Sequence, residues 1–256
     1  MPSGIRETLY GALRKFSQIE GAQAAAAFAH YTLFSLFPLT ILLVTLASFF
    51  VDRNQAEAQV IAYIKVYVSL TRELQNSIFD TITGVINARG QAGIIAFLLL
   101  VWSAQQFFTT LISTTNRAWG VVAYNWWQLP LKCLQLLSIM AFTVLLGIGM
   151  QVVVRGGPPL FPLFVVFLSL VLFYRLAPNR PIRLNQVWVG ALCATALLQM
   201  GESLFVIYIK TFADLNVVYG TFGGVIALLL WIYVSGGIVL FGACLCAAQS
   251  EYKKHY

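Results

Sequence analysis

The sequence predicts an all-α, polytopic membrane protein, a bundle of six transmembrane helices, and three observations predict it. Of its 256 residues, 59% are hydrophobic and 10% charged, with a mean hydropathy of +0.80, against about 45–50% apolar and about 25% charged in ordinary soluble domains. Six long runs carry no Lys, Arg, Asp or Glu, and each comes close to the roughly 20 helical residues that a bilayer core requires. The charges gather between the runs, as they must when each costs about 2.5–3.5 kcal/mol at the centre of a membrane helix.

Residues 3–20 come first. Ile5, Leu9, Leu13, Phe16 and Ile19 recur every three or four residues, with Arg6, Glu7, Arg14, Lys15 and Gln18 off that stripe, the pattern of a helix lying in the membrane interface. A span follows over about 21–51. It is twice as long as the about 7–15 apolar residues of a signal peptide, and its alanines, Ala24 to Ala27, stand at its start rather than at a cleavage site. Pro38 removes one backbone hydrogen bond from this span and clashes with the carbonyl of Phe34. A kink is therefore expected, with Ser35 at hand to bond a freed carbonyl.

The loop at 52–89 repeats an amphipathic period twice, through Val60, Ile64 and Val68 and then through Leu74, Ile78, Ile82 and Val85. Two external helices that cap the bundle or lie on lipid are the expectation, with gating of an external vestibule as the alternative. The remaining spans fall at about 90–113, 131–154, 159–177, 185–209 and 222–248, and Val217 to Gly220 reads as a turn ahead of the last. Residues 1–256 read as a single membrane domain.

Orientation follows from the cations. Segments assigned alternately to two sides place ten of the sixteen Lys and Arg residues with both termini and the second and fourth loops. Four of the other six, Arg53, Lys65, Arg72 and Arg89, share one long loop with Asp52, Glu57, Glu73 and Asp80. The positive-inside rule then puts both termini in the cytoplasm, and Trp119, Trp126, Trp127 and Trp188 flank cytoplasmic ends as an aromatic belt does. The net charge of +7 is explained by topology and anionic lipid, with no nucleic-acid partner.

Several stretches are familiar in combination. They are Tyr31-Thr-Leu-Phe-Ser35-Leu-Phe-Pro38-Leu in the first span, Asn116-Arg117-Ala-Trp119 after the second, and Tyr174-Arg175-Leu-Ala-Pro178-Asn179-Arg180 after the fourth. Tyr219-Gly220-Thr-Phe-Gly223, Leu229-Leu230-Trp231-Ile-Tyr233 and Leu240-Phe-Gly242-Ala243 complete the series. Together, and in this order along the whole chain, they resemble the YihY/virulence factor BrkB family of bacterial inner-membrane proteins. The resemblance singles out Asn116, Arg117, Pro178, Tyr219, Gly220, Trp231 and Gly242. It implies an inner-membrane transporter or envelope-maintenance protein, and some members are labelled ribonuclease BN. One departure stands out: where the family pattern continues from Gly-Ala into an acidic residue and a small polar one, this chain has Cys244 and Cys246.

The ribonuclease label finds no support in the residues. Nuclease chemistry needs paired carboxylates holding metal or a His acid/base pair. The two histidines are His30, inside a span, and His255, at the tail, and the cytoplasmic acids Glu7, Glu20 and Glu251 are scattered. The expectation is a non-enzyme with no catalytic residues, metal or cofactor. Cys133, Cys193, Cys244 and Cys246 all fall in spans and read as small core residues, with Cys244 and Cys246 on different sides of their helix.

Polar groups at membrane depth are costly and hence more often functional. His30 lies about 14 Å from the inner edge at 1.5 Å per residue, and Gln105 and Gln106 come to a similar depth of about 10–12 Å. Glu202 sits in the outer part of the fifth span, where it either snorkels to the interface beside Lys210 or forms a proton or cation site. A cavity opened by the Pro38 kink between the first, second and fifth spans would carry His30, Ser35, Gln106 and Glu202, which with Gln105 make up the candidate intramembrane polar site. Two function classes follow: a transporter or flippase of a small solute, ion or lipid serving the envelope, or a non-transporting structural scaffold. The lipid bilayer is the expected partner, with room for a homo-oligomer.

Overall fold

In a bilayer each backbone N–H and C=O must be satisfied within its own segment, so unbroken apolar stretches become helices. A computed structural model describes residues 2–50, 89–122, 124–125, 127–153, 161–212 and 222–255. Its helices are α1 (Pro2–Gln18), α2 (Gly21–Phe50), α3 (Arg89–Ala118), α4 (Gln128–Val153), α5 (Phe161–Leu176), α6 (Trp188–Phe212) and α7 (Phe222–His255), with a single 3-10 turn at Leu184–Gln186. No strand occurs among the described residues.

The chain is thus an all-α membrane protein. The stretches Gly21–Leu42, Ile94–Ala118, Trp188–Ile209 and Gly223–Tyr252 are long and apolar enough to cross a bilayer, and α5 is apolar but only 16 residues long. Several helix ends differ from the expected spans, among them the start of α4 at Gln128 rather than 131 and the end of α7 at His255 rather than 248. α3 runs on to Ala118 rather than stopping near 113, and α6 starts at Trp188 because residues 184–186 wind more tightly. The two amphipathic stretches expected at 52–89 lie outside the described residues, apart from Arg89.

α2 continues as one helix through Pro38. The hydroxyl of Ser35 donates to the carbonyl of Thr32 at 2.7 Å, and that of Thr40 donates to Phe37 at 2.7 Å. The carbonyl freed by the proline, that of Phe34, is therefore not the acceptor of Ser35. Helical side chains point back toward the N-terminus, so a serine reaches the carbonyl three or four residues earlier and never the one just before it.

The chain groups into two compact units. The smaller comprises 30–104 and 208–231; in it His30 stacks on Phe34 at 6.3 Å and Phe34 meets the Trp102 ring edge-on at 6.1 Å, tying α2 to α3. The larger comprises 1–29, 105–207 and 232–256. Its core draws on Ile112, Leu136, Phe173, Tyr174, Val187, Ala191, Ala194, Leu240 and Cys246. Small residues let α6 and α7 approach closely. A Cβ on Gly190 would overlap the Cys246 sulfur and lie 2.9 Å from the carbonyl oxygen of Gly242, so the absence of a side chain on Gly190 lets α7 come close.

α1 is amphipathic with a division of labour that its sequence stripe did not show. Ala12, Phe16 and Ile19 pack against Phe241, Cys244, Leu245 and Ala248 of α7, whereas Leu9, Tyr10 and Leu13 remain exposed. Cys244 joins this contact while Cys246 faces the main core, as their spacing predicts. Lys15 Nζ donates to Glu251 at 2.7 Å and to the carbonyl of Ala118 at 3.3 Å. Gln186 donates to Ser250 Oγ at 3.0 Å. The two termini and the loops after α3 and α5 are therefore stitched together at one end of the larger unit. These are the four segments to which the cation census assigned a common side.

Candidate functional site

The site begins where α3 stops. The N–H of Gly120 bonds the carbonyl of Arg117 at 3.1 Å and that of Val121 bonds Asn116 at 3.0 Å, with Gly120 at φ +61°. This is the Schellman arrangement, which satisfies the last carbonyls of a helix and calls for a residue without a Cβ. With its main chain closed in this way, α3 presents the side chains of Asn116 and Trp119, one turn apart, to the segment that follows α5.

That segment is held by side chains throughout. Asn116 Oδ1 accepts from the N–H of Asn179 at 2.7 Å, Asn179 Nδ2 donates to the carbonyl of Val122 at 3.3 Å, and Tyr124 OH donates to the carbonyl of Pro178 at 3.1 Å. The Arg180 guanidinium lies 4.8 Å above the Trp119 ring, a cation–π contact. Burial pushes the Tyr124 phenol above its ordinary range. Arg117 bonds Thr114 Oγ1 at 3.2 Å. Asn116 is 1% exposed and Trp119 6%, and yet Asn116 Nδ2, Trp119 Nε1 and Thr115 Oγ1 are buried with no hydrogen-bond partner in the structure.

Gly242 has its own explanation. Tyr174, wholly buried, donates its hydroxyl to the carbonyl of Val239 at 2.8 Å. A Cβ on Gly242 would overlap that hydroxyl and lie 2.9 Å from Ala194 Cβ. The landmarks Tyr174 and Gly242, far apart in sequence, form a single contact. The contacts among Asn116, Trp119, Tyr124, Asn179 and Arg180 form a polar knot in which Pro178 is buried, and Trp231 is half-buried on α7; Tyr219 and Gly220 lie outside the described residues.

The intramembrane polar residues divide between the two units. His30 and Ser35 belong to the smaller, where His30 is exposed along its stack with Phe34. Gln105, Gln106 and Glu202 belong to the larger. The carbonyl of Gln105 receives Cys133 Sγ at 4.0 Å and that of Gln106 receives Thr110 Oγ1 at 2.9 Å. Glu202 is exposed and accepts from Gln199 Nε2 at 3.3 Å, and Ser203 Oγ donates to the carbonyl of Gln199 at 3.0 Å. Gln199, Glu202 and Ser203 therefore make a polar stripe one turn long on the outside of α6. Sequence reading singled out Glu202 alone, although the spacing of 199, 202 and 203 is itself the signal for one helical face. Among the described residues no three His, Cys, Asp or Glu side chains are placed to hold a metal ion.

The sequence is similar to several known proteins. A curated relative from Bacillus subtilis, named as the ribonuclease-like protein YfkH, is 26% identical over 94% of both chains. A UPF0761 membrane protein of Neisseria meningitidis is 26% identical over 94% of this chain and 62% of its own length, and one of Alcanivorax borkumensis is 28% identical over 95% and 60%. The chain thus spans about three-fifths of the length of these UPF0761 relatives. No solved structure matches it. The profile of the virulence factor BrkB family matches residues 12–255, a region that holds the α3 cap, the Asn116–Asn179 clamp and the Tyr174–Gly242 contact, and the chain belongs to that family.

Proposed function

We propose that this chain is a transporter or flippase of the bacterial inner membrane, with six spans and both termini in the cytoplasm. One observation carries the reading: the stripe of Gln199, Glu202 and Ser203 is exposed on an α6 segment, Trp188–Ile209, otherwise apolar enough to span the bilayer. Glu202 is the one carboxylate within the six expected spans, and polar groups at that depth are retained at a cost of a few kcal/mol. Because the stripe opens outward, a lipid headgroup is the cargo it suits best, its acyl chains staying in the bilayer while the headgroup follows the polar face. Small solutes and ions are the alternative cargoes.

The orientation draws on the stitched end of the larger unit, whose segments carry most of the cations. Single cysteines at Gln75 and at exposed Asn185 test it: an impermeant thiol reagent added to intact cells should modify the first and spare the second. The reverse pattern would invert the topology. The name of the Bacillus relative brings in RNA cleavage, but the acids and histidines of this chain are too scattered for that chemistry, and we read the chain as non-catalytic.

Flux decides the main proposal. Purified protein in liposomes should move a fluorescent lipid analogue between leaflets, or one of a panel of solutes across them, and Glu202→Gln should cut that flux at least about fivefold. A Gln variant with wild-type rate removes Glu202 from the pathway. Absence of flux for every cargo favours the non-transporting scaffold, in which the same stripe seats a partner helix through buried polar contacts.

A further inference from the structure

We propose that the end of α3 and the segment after α5 form a phosphate-binding site at the cation-rich end of the larger unit. Arg180, which lies over the Trp119 ring, supplies the charge, and the unpartnered N–H groups of Trp119 and Asn116 supply further donors. The site is independent of the transport reading.

The geometry places these donors together. Arg180 stacks on Trp119, Asn179 is its immediate neighbour in sequence, and Asn179 is clamped to the carboxamide of Asn116. Asn116 and Trp119 stand one helical turn apart at the end of α3. Two buried N–H donors within that turn, Asn116 Nδ2 and Trp119 Nε1, have no acceptor. Buried donors are nearly always paired, so two orphans on residues one turn apart call for an acceptor that enters from outside the chain.

The chemistry of that acceptor follows from the surroundings. Arg117 lies in the last turn of α3, Arg175 lies in the last turn of α5 and Arg180 and Arg183 follow it, and among the described residues none of them forms an ion pair. Glu251 is engaged with Lys15, and Glu7 and Glu20 are exposed on α1 and the turn behind it. Guanidinium, indole N–H and carboxamide N–H are donors only. A ligand with several acceptor oxygens and negative charge complements them, and the arginine fork matches two oxygens of a phosphate. Arg180 is half-buried over the indole, so binding would draw its guanidinium off the ring and expose Nε1 to the ligand. The phosphate is either that of an anionic lipid at the membrane surface or one carried by a soluble molecule.

Tryptophan fluorescence of the full chain in detergent, taken as the difference from Trp119→Phe, reads this movement. The probes are short-chain phosphatidylglycerol, glycerol 3-phosphate, inorganic phosphate and, as the phosphate-free control, short-chain diacylglycerol. A saturable change with a phosphate-bearing probe and none with diacylglycerol is expected. Arg180→Gln should weaken binding at least about tenfold, the loss of one charge-assisted hydrogen bond. Response to phosphatidylglycerol alone assigns the site to lipid, and an equal response to glycerol 3-phosphate assigns it to a soluble ligand. Asn116→Asp guards against misfolding, since it keeps the acceptor for Asn179 and places a negative charge among the donors. At unchanged thermal stability it should abolish binding. No saturable response to any phosphate probe, an equal response to diacylglycerol, or unaltered binding by Arg180→Gln would overturn the proposal.

Discussion

Replacing Gly242 by Ala tests whether the close approach of α5, α6 and α7 holds the larger unit together. The new methyl meets the Tyr174 hydroxyl and lies 2.9 Å from Ala194 Cβ, so α7 must move away from both neighbours or Tyr174 must leave its bond to Val239. Overpacking costs about 1–3 kcal/mol, and loss of the hydroxyl's hydrogen bond adds about 0.5–1.5 kcal/mol. The better helix propensity of Ala returns about 1 kcal/mol. The net loss of about 1–3 kcal/mol corresponds to a Tm lower by roughly 3–10 °C for a chain of this size. Heating in mild detergent followed by fluorescence-detected gel filtration measures it. Tyr174→Phe alone should cost no more than about 1 kcal/mol, because the Val239 carbonyl keeps its partner within α7. In the Gly242→Ala background the same change should recover part of the loss, since it removes the overlapping oxygen. A Gly242→Ala protein melting within about 1 °C of wild type, or a double variant no more stable than Gly242→Ala, would refute the reasoning.

Two further expectations concern the polar knot. A Cβ on Gly120 would meet nothing within 4 Å, so Gly120→Ala isolates the cost of φ +61°, about 1 kcal/mol, and should lower Tm by roughly 2–4 °C; an unchanged Tm would mean that the cap is dispensable. Burial raises the Tyr124 pKa above 10.0, and a raised pKa in the folded state gives stability that is complete below pH 10 and lost as pH climbs through the folded value. Thermal stability should therefore fall more steeply above pH 10 in the wild type than in Tyr124→Phe, and parallel curves would show that the phenol does not report on the knot.

The helices were legible in the sequence because their cause is local: a charge-free run long enough to span lipid has no other stable structure in a bilayer. Boundaries such as Ala118 were less so, because the end of α3 is set by a cap at Gly120 and by a clamp from Asn179, sixty residues on. The knot was visible only as familiar letters. Nothing in the spacing of Asn116, Trp119, Asn179 and Arg180 says that the first bonds the third and the second carries the fourth, since those contacts depend on how α3 and α5 are placed side by side. α1 shows the same limit. Its apolar stripe announced an amphipathic helix, but only the tertiary contact divides that stripe into Ala12, Phe16 and Ile19 on α7 and Leu9, Tyr10 and Leu13 left outside.

The seating of α1 on α7 has a consequence for how the molecule is made. Lys15 and Glu251 are 236 residues apart in the chain, so at roughly 5–20 residues per second the ribosome needs about 12–50 s to deliver the second after the first. Until then Phe241, Cys244, Leu245 and Ala248 are missing from the contact that Ala12, Phe16 and Ile19 share with Ala118 and Cys193, and the nascent protein presents a greasy patch to whatever attends its insertion. The last turns of α7 therefore act as a clasp that closes over α1 only once they have been made. A chain released before about residue 240 would lack the α7 side of that contact and keep part of the patch bare.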